Sequence, residues 1–347
     1  MSQVELIDGD SASRVPFSLH SSMLKEGVEH YISNVKTRFF FLKVDGHCIP
    51  ISVNEKEYEN AYVTSNYYAI AHVQHKVSIF VRPFVRGAGL LLKGIEANRV
   101  VIVNNWLLSG ALYPQLSGEQ LEAVTRFLEE RFPSHLVMFR GLTDREHVGI
   151  IDGLEDLGYH KFFARKVHYF DPEEKRGKRA AYHLRRDRRL MESAGYVVTT
   201  RVDVRRFLEL YRSIYLEKHT QYAPRYTEAF LQRAIESGFL QMRTIERKGE
   251  IVGVFGYCVE GGAMIAPFFG FDAQSERRTE VYRILMLTLI EEAEKLGALL
   301  NDGSGGETAK RFRGLKEFNE YALIYTRHLR WHKRLFWGIS NKAANLF

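Results

Sequence analysis

The chain has 347 residues, of which 45% are hydrophobic and 26% charged, an ordinary composition for a globular protein with room for two domains. Its formal net charge of +7 favours anionic partners but is too modest to establish nucleic-acid binding. Two cysteines make no disulfide scaffold, the 13 histidines lack metal-ligand spacing, and no apolar run reaches membrane-spanning length. Since the N-terminus also lacks a signal-peptide pattern, we expect a reduced, cytoplasmic protein without a metal site.

The first 170 residues predict one mixed unit of strands and helices. Residues 39–44 and 47–54 flank Asp45-Gly46, which is the strongest short signal for a β-hairpin. Ser117 and Gln120 fit a capping box that opens a helix ending at Phe132-Pro133. The other expected elements are a helix near 23–35, a strand and turn over 61–73, helix or strand over 77–93, a strand at 99–107, a strand at 135–139, a helix at 146–157 and a strand at 159–170.

The charged stretch 171–178 contains proline and glycine without apolar periodicity, and we interpret it as a linker. A second unit over 179–330 and a basic, aromatic tail over 331–347 follow it. The expected elements of this unit are helices at 180–193, 204–218, 227–237, 276–296 and 308–317, and strands at 196–202, 239–246, 250–259, 263–271, 298–301 and 321–328. Both halves end in strand, helix, strand, helix, strand, which suggests two copies of one unit.

One stretch stands out as a candidate site, the loop Asp302-Gly303-Ser304-Gly305-Gly306. It follows a buried strand and precedes a short basic helix, and ligands of open α/β sheets bind beyond such strand ends. Three glycines in four residues permit positive φ angles and close approach of a ligand. A plain strand-to-helix turn would use similar residues. The carboxylate, the hydroxyl and the cations Lys310 and Arg313 within twelve residues favour a site.

The order of elements in the second half resembles the GNAT acyltransferase fold. The motif from Asp302 through Lys310 to Gly314 is similar to the BioF2-like branch of that superfamily. This branch is related to the peptidoglycan-bridge (Fem) aminoacyltransferases, which pair two GNAT-like units. The resemblance implies an α/β (α+β) fold of two such units, the first degenerate, each a mixed, mostly antiparallel sheet flanked by helices. It also implies transfer of an acyl group to an amine.

The sequence departs from common GNAT proteins where the long helix of the second unit begins. Acetyl-CoA-dependent members have a glycine-containing pyrophosphate loop there, whereas this chain has Arg277 and Arg278. These arginines could hold phosphate electrostatically. The departure favours a larger donor, and we expect acyl-CoA or an acyl-carrier protein as co-substrate, with no permanently bound cofactor. A charged tRNA is the alternative donor.

Acyl transfer to an amine needs a base and groups that stabilise the oxyanion. We predict Asp302 as the base, with His219 as the alternative and with Ser304 and Lys310 supporting the acyl oxygen. An exposed histidine or a turn-capping aspartate would need no such role. The residues predicted to bind donor or substrate are Gly303, Gly305, Gly306, Arg313, Arg277, Arg278, Glu217, Tyr222 and Tyr282.

Three functions follow from these patterns. The first is N-acyl transfer from a thioester donor to an amine on a small molecule or lipid. The second is aminoacyl transfer from charged tRNA. The third is a non-catalytic lipid- or nucleic-acid-binding protein that kept the fold. Cations and aromatics alternate in the helix 178–189 and in the tail, which fits contact with tRNA, a carrier protein or a membrane surface, and equally an ordinary charged face.

Overall fold

The computed structural model describes residues 2–65, 67–68 and 82–344, which form two compact units. The first unit contains Met1–Ala164, Tyr222–Arg225 and Glu320–Phe347, and the second contains Arg165–Gln221 and Tyr226–Asn319. The stretch interpreted as a linker, 171–178, lies within the second unit, and the predicted tail lies within the first. Residues 66 and 69–73 of the strand and turn predicted over 61–73 lie outside the described residues, and residues 61–65 form a turn and no strand.

The strands and helices, numbered in chain order, have the following bounds. The strands are β1 Val4–Ile7, β2 Arg38–Val44, β3 His47–Asn54, β4 Val100–Val103, β5 Leu136–Thr143, β6 His160–Phe170, β7 Tyr196–Thr199, β8 Gln241–Arg247, β9 Glu250–Glu260, β10 Ala263–Phe271, β11 Leu299–Asn301 and β12 Lys316–Tyr325. The helices are α1 Ser18–Glu26, α2 Arg82–Gly94, α3 Gly118–Arg131, α4 Val148–Asp156, α5 Lys178–Ser193, α6 Val204–Arg212, α7 Glu228–Glu236, α8 Arg278–Leu296, α9 Glu307–Phe312 and α10 Trp331–Ala344.

The sheet of the first unit follows the order β1-β2-β3-β4-β5 and then the second half of β12. All neighbours are antiparallel except β4 and β5. The hairpin between β2 and β3 is confirmed: Val44 pairs with His47, and Asp45 and Gly46 have φ angles of 44° and 97°. Both angles are positive, as a two-residue turn that matches strand twist requires.

Helix α3 begins where the sequence predicts it. Ser117 accepts a hydrogen bond from the Gln120 backbone, and the Gln120 side chain accepts from the Ser117 backbone. Its predicted apolar face is buried against the sheet, with Leu121, Val124 and Leu128 inaccessible to solvent. The helix predicted near 23–35 is wrong in position, because Gly27 ends α1 and only a short 3-10 turn, Val28–His30, follows.

The sheet of the second unit follows the order β6-β11-β10-β9-β8-β7. Its neighbours are antiparallel except β10 and β11, so each unit has one parallel pair in the same place. Residues 248–249 join β8 to β9, and residues 261–262 join β9 to β10. Helix α8 packs its buried face, including Ile284, Leu285 and Leu289, into the core of this unit.

The closing strand of each unit comes from the other half of the sequence. Phe170 at the end of β6 pairs with Leu300 of β11 in the second unit. Tyr325 at the end of β12 pairs with Val137 of β5 in the first unit. The two units are therefore mixed, mostly antiparallel sheets flanked by helices, as predicted, but neither sheet is complete within one continuous stretch of sequence.

A buried ion network fastens α5 to the elements around the candidate loop. Asp187 of α5 is 1% exposed and accepts hydrogen bonds from Arg283 Nε at 2.7 Å and Arg313 Nε at 2.8 Å. Arg313 is 4% exposed and also donates to the Ala309 carbonyl at 2.8 Å. Because the carboxylate and the guanidinium are both removed from water, each depends on the other for compensation.

We predict that Asp187→Ala lowers the free energy of unfolding by about 3–5 kcal/mol, since it leaves a buried guanidinium uncompensated. Urea denaturation measures the change. Arg188→Ala is the control, because its ion pair with Glu291 is half-exposed and should be worth about 1 kcal/mol or less. Equal destabilisation by the two substitutions would contradict the structural role of the network.

Candidate active site

A cavity of about 390 Å³ opens in the second unit beside the glycine-rich loop. This volume is in the range of small-molecule binding pockets. Its walls come from the segment that follows α6, from β10, from the first turns of α8, from the loop before α9 and from Lys310 of α9. The lining residues are Ile214, Tyr215, Lys218, His219, Ala266, Phe269, Phe271, Arg278, Thr279, Tyr282, Met286, Asp302, Ser304, Gly305, Gly306 and Lys310.

The loop adopts the backbone conformation that its glycines predict. Gly303, Gly305 and Gly306 all have positive φ angles, between 61° and 80°. Gly306 also allows a close approach, because a Cβ added there would lie 2.3 Å from the hydroxyl of Tyr282. Gly306 therefore brings the loop against α8 and places Ser304 and Gly305 at the cavity wall.

Lys310 holds this loop from within. Its side chain is only 5% exposed, and Nζ donates to the carbonyls of Asp302, Gly303 and Ser304 at 2.6, 3.1 and 3.3 Å. These three bonds match the three hydrogens of an ammonium group. An acyl oxyanion would have to displace one of these carbonyls, so the predicted contact of Lys310 with that oxygen is not formed in this arrangement.

Asp302 presents a buried carboxylate to the cavity. Its side chain is 7% exposed, and Oδ2 lies 3.2 Å from Lys310 Nζ in an ionic contact without hydrogen-bond geometry. Burial raises the pKa of Asp302 above its usual range, and the charges of Lys310 and His168 oppose that rise. A carboxylate that is only partly compensated, and that lies at a cavity, can accept a proton or hold an ammonium group.

His168 is a neighbour of Asp302 that the sequence patterns did not single out. It lies on β6, where its backbone carbonyl accepts from the Asp302 N–H at 2.9 Å. The ring is 2% exposed, and neither ring nitrogen hydrogen-bonds to a described residue. Burial and the charge of Lys310 lower its pKa. The pairing of β6 with β11 places His168 beside Asp302, and no pattern of neighbouring residues in the sequence predicts this.

The wall formed by residues 213–219 has an irregular helical geometry. Helix α6 continues as a π-helix over Ser213–His219, and Ser213 Oγ accepts a hydrogen bond from the Ala273 backbone at 3.0 Å. Such insertions are rare and frequent at functional sites. The predicted helix over 204–218 is therefore correct in extent, but its last turns are wider than a regular α-helix, and they bring Tyr215, Lys218 and His219 to the cavity.

The first turns of α8 supply a cation and a hydroxyl. Arg278 lines the cavity, whereas Arg277 pairs with Glu280 at 2.9 Å on the exposed side. Tyr282 lines the cavity, and burial together with the charge of Asp302 raises the pKa of its phenol. The phenol therefore stays protonated and can donate a hydrogen bond.

Several predicted binding residues lie elsewhere. Arg313 is not placed for a ligand, because its guanidinium is buried against Asp187 and the Ala309 carbonyl. The predicted helix over 308–317 ends at Phe312, so Arg313 follows the helix instead of lying on its loop-facing side. Glu217 and Gly303 are outside the cavity lining. Tyr222 belongs to the first unit, where its carbonyl accepts from the Tyr62 N–H at 2.9 Å.

Part of the cavity lining is apolar, and the sequence patterns did not identify these residues. Phe269 and Phe271 extend from β10, Met286 from α8 and Ala266 from β10. Among the described residues, no cluster of histidine, cysteine and acidic side chains could hold a metal ion. The site therefore combines one carboxylate, several cations and an apolar surface.

The family model for the acetyltransferase (GNAT) domain matches residues 178–311. The chain is similar to the crystal structure of FemX, with a TM-score of 0.54, 10% identity and coverage of 94% of this chain and 98% of FemX. It is also similar to L-PGS from Bacillus licheniformis, with a TM-score of 0.52, 15% identity and coverage of 91% and 94%. A search of curated proteins finds no match to this sequence.

The matched residues contain the cavity, the π-helical wall, the glycine-rich loop and Lys310. The two structural likenesses extend over both units of the chain and concern the fold. Residues 178–311 therefore form a domain of the GNAT acyltransferase superfamily, and the chain as a whole shares its fold with FemX and L-PGS.

Proposed function

We propose that this protein is an N-acyltransferase that moves an acyl group from a thioester donor to an amine in the cavity of the second unit. The observation that carries the proposal is the environment of Asp302. It is the only carboxylate among the described residues of the cavity lining, and it is buried with a raised pKa. An amine acceptor arrives as an ammonium ion and has to lose a proton before it can attack.

In the proposed reaction, Asp302 first binds the ammonium group and takes one of its protons. The free amine then attacks the thioester carbonyl, the carbon–nitrogen bond forms and the carbon–sulfur bond breaks. The second proton that the nitrogen loses as the amide forms passes to the departing sulfur, which leaves as a thiol. The neutral phenol of Tyr282 lies at the same cavity and is the donor available to the departing sulfur. Backbone N–H groups of Ser304, Gly305 and Gly306 are the candidates for stabilising the oxyanion.

Lys310 acts in this proposal as a positioning residue. By binding three successive carbonyls it fixes the direction in which the loop N–H groups and the Asp302 carboxylate point. Preorganised dipoles of this kind contribute to catalysis because they need no rearrangement as charge develops.

The donor is inferred from the charge and polarity of the lining. Lys218 and Arg278 are exposed cations at the cavity, and no described residue forms an ion pair with either. Phe269, Phe271 and Met286 offer an apolar surface to an acyl chain. A thioester with an anionic carrier, as in acyl-CoA or an acyl-carrier protein, combines these two features.

We predict that Asp302→Asn lowers the rate of amide formation by about 100-fold or more, because the amide cannot accept the proton. Purified protein is given acyl-CoA or acyl-carrier donors with a panel of amines, and the amide product is measured by mass spectrometry. Asp156→Asn is the matched control, since Asp156 is exposed on α4 in the first unit. Unchanged turnover in Asp302→Asn would remove Asp302 from the mechanism.

The rate should also fall in acid. The carboxylate acts as base only when ionised, and burial raises its pKa, so activity is lost as pH falls through a value above that of an ordinary aspartate. The pH profile of kcat/KM measures this limb, which reports the free enzyme. Lys310→Met should shift the limb upward, because it removes the charge that most opposes the effect of burial. A limb unaltered in both Asp302→Asn and Lys310→Met would assign it to another group.

A charged tRNA is the second candidate donor, favoured by the surface of α5. Arg185, Arg186 and Arg189 are exposed, and no described residue pairs with them. Other arginines of the second unit do have partners, such as Arg205 with Glu228 at 3.2 Å. Unpaired exposed arginines are suited to phosphate contacts.

If tRNA is the donor, its affinity should fall steeply with salt concentration, as counterion release requires. Arg185→Gln, Arg186→Gln and Arg189→Gln together should then reduce the slope of log K against log salt by about two to three. Filter binding or fluorescence anisotropy measures the slope, and Arg205→Gln is the control. Binding that is absent or insensitive to salt would leave the thioester donor as the only candidate.

A further inference from the structure

Helix α10 of the first unit carries an exposed apolar stripe. Trp331, Leu335 and Ile339 are 70%, 54% and 59% exposed, and their spacing of four residues places them on one face of the helix. The stripe runs along about 12 Å of helix, at 1.5 Å per residue. Large apolar side chains scattered singly over a surface are ordinary, but an aligned row of them marks an interaction site.

The opposite face of α10 is fixed to the unit, so the stripe is held outward. Trp337 is 8% exposed and packs with Leu329 in a core cluster that also contains Ile324. Lys333 is 8% exposed, and its Nζ donates to Glu96 at 2.8 Å. Packing and this ion pair set the rotation of the helix, and Trp331, Leu335 and Ile339 remain in solvent.

The surroundings of the stripe are basic. Arg330 and Arg334 are exposed on the same segment, and no described residue forms an ion pair with either. The sequence contains no aspartate or glutamate from residue 321 to the end of the chain. A second exposed apolar pair, Leu90 and Leu91 at 70% and 62%, lies on α2, whose Leu92 packs against the same core cluster as Trp337.

We propose that α10 docks this protein on an anionic phospholipid surface, with the stripe Trp331, Leu335 and Ile339 inserted among the acyl chains. A helix that lies in the membrane interface has this composition: an aromatic and aliphatic face with cations beside it. The arginines would face the lipid phosphates while the tryptophan lies at headgroup depth. None of the helices in the described residues is long and apolar enough to cross a membrane.

Charge decides between this occupant and a second copy of the chain. A symmetric contact of two α10 helices would bring Arg330 and Arg334 of both copies together with no carboxylate from either tail. An anionic bilayer instead neutralises the arginines and buries the apolar stripe in one step. Nucleic acid would meet the arginines but leave the aliphatic side chains of the stripe in water.

The test is flotation of the full chain with vesicles of phosphatidylcholine, with and without phosphatidylglycerol. We expect binding to the vesicles with phosphatidylglycerol, weakened by salt, and a blue shift of tryptophan emission. The shift reports Trp331, because the other two tryptophans, Trp106 and Trp337, are 5% and 8% exposed. Replacing Trp331, Leu335 and Ile339 by serine should lower vesicle affinity about tenfold or more. The double substitution Arg330→Gln with Arg334→Gln should lower the affinity only for the vesicles that contain phosphatidylglycerol.

The control replaces three exposed apolar residues elsewhere, Val148, Val197 and Leu296, by serine and should bind vesicles like the native chain. The stripe variant should still transfer an acyl group to a water-soluble amine. A failure of membrane docking can then be distinguished from a failure of the proposed acyl transfer. Equal vesicle binding by the native chain and the stripe variant would overturn the proposal. The proposal would also be overturned if the native chain did not bind vesicles and the stripe variant lost self-association in sedimentation or lost nucleic-acid binding.

Discussion

The candidate site depends on the hydrogen bonds that the ammonium group of Lys310 donates to the glycine-rich loop. A loop with three left-handed glycines has little intrinsic reason to hold one shape, since glycine loses more conformational freedom on ordering than any other residue. Three of its carbonyls point inward, and without a donor each would cost free energy as a buried unpaired acceptor. Lys310 satisfies all three at 2.6–3.3 Å and so makes one loop conformation favourable. Close packing of Gly306 on Tyr282 then fixes where that loop meets α8.

The same lysine also determines the surroundings of the Asp302 carboxylate. Because the hydrogens of Lys310 Nζ are directed to carbonyls, Asp302 Oδ2 lies 3.2 Å from the positive charge of Nζ but accepts no full hydrogen bond from it. A completely paired carboxylate would have a depressed pKa and little affinity for a further proton or cation, whereas burial raises the pKa of Asp302. Asp187 differs from Asp302 in its hydrogen bonds. It accepts from Arg283 and Arg313 at 2.7–2.8 Å and joins α5 to its neighbours.

Sequence patterns identified the features that are local in the chain. The Asp45-Gly46 hairpin, the Ser117 capping box and the left-handed glycines of the loop each follow from a few adjacent residues. Features that depend on distant pairing were missed or misplaced. His168 lies beside Asp302 because β6 pairs with β11. The guanidinium of Arg313 is held away from the loop by its hydrogen bond to Asp187, which lies 126 residues earlier in the sequence. The π-helical segment 213–219 also has a distant partner, the Ala273 N–H, which donates to Ser213 Oγ.

Comparison of the two units indicates why a site is found in the second. In each unit the second strand of the parallel pair leads into a turn and then a helix. Strand β11 leads into the glycine-rich loop, and strand β5 leads into residues 144–147. In the first unit this turn is closed by His147, which is 6% exposed and whose Nδ1 accepts the Thr143 N–H at 3.0 Å. Burial lowers the pKa of His147 to about 4, so the ring is neutral and packs against Tyr113. The first unit therefore has an aromatic side chain and a neutral imidazole at the turn where the second unit has glycines and a buried carboxylate. The order of strands is the same in both units, so the difference in chemistry at this turn comes from the side chains that follow the strand.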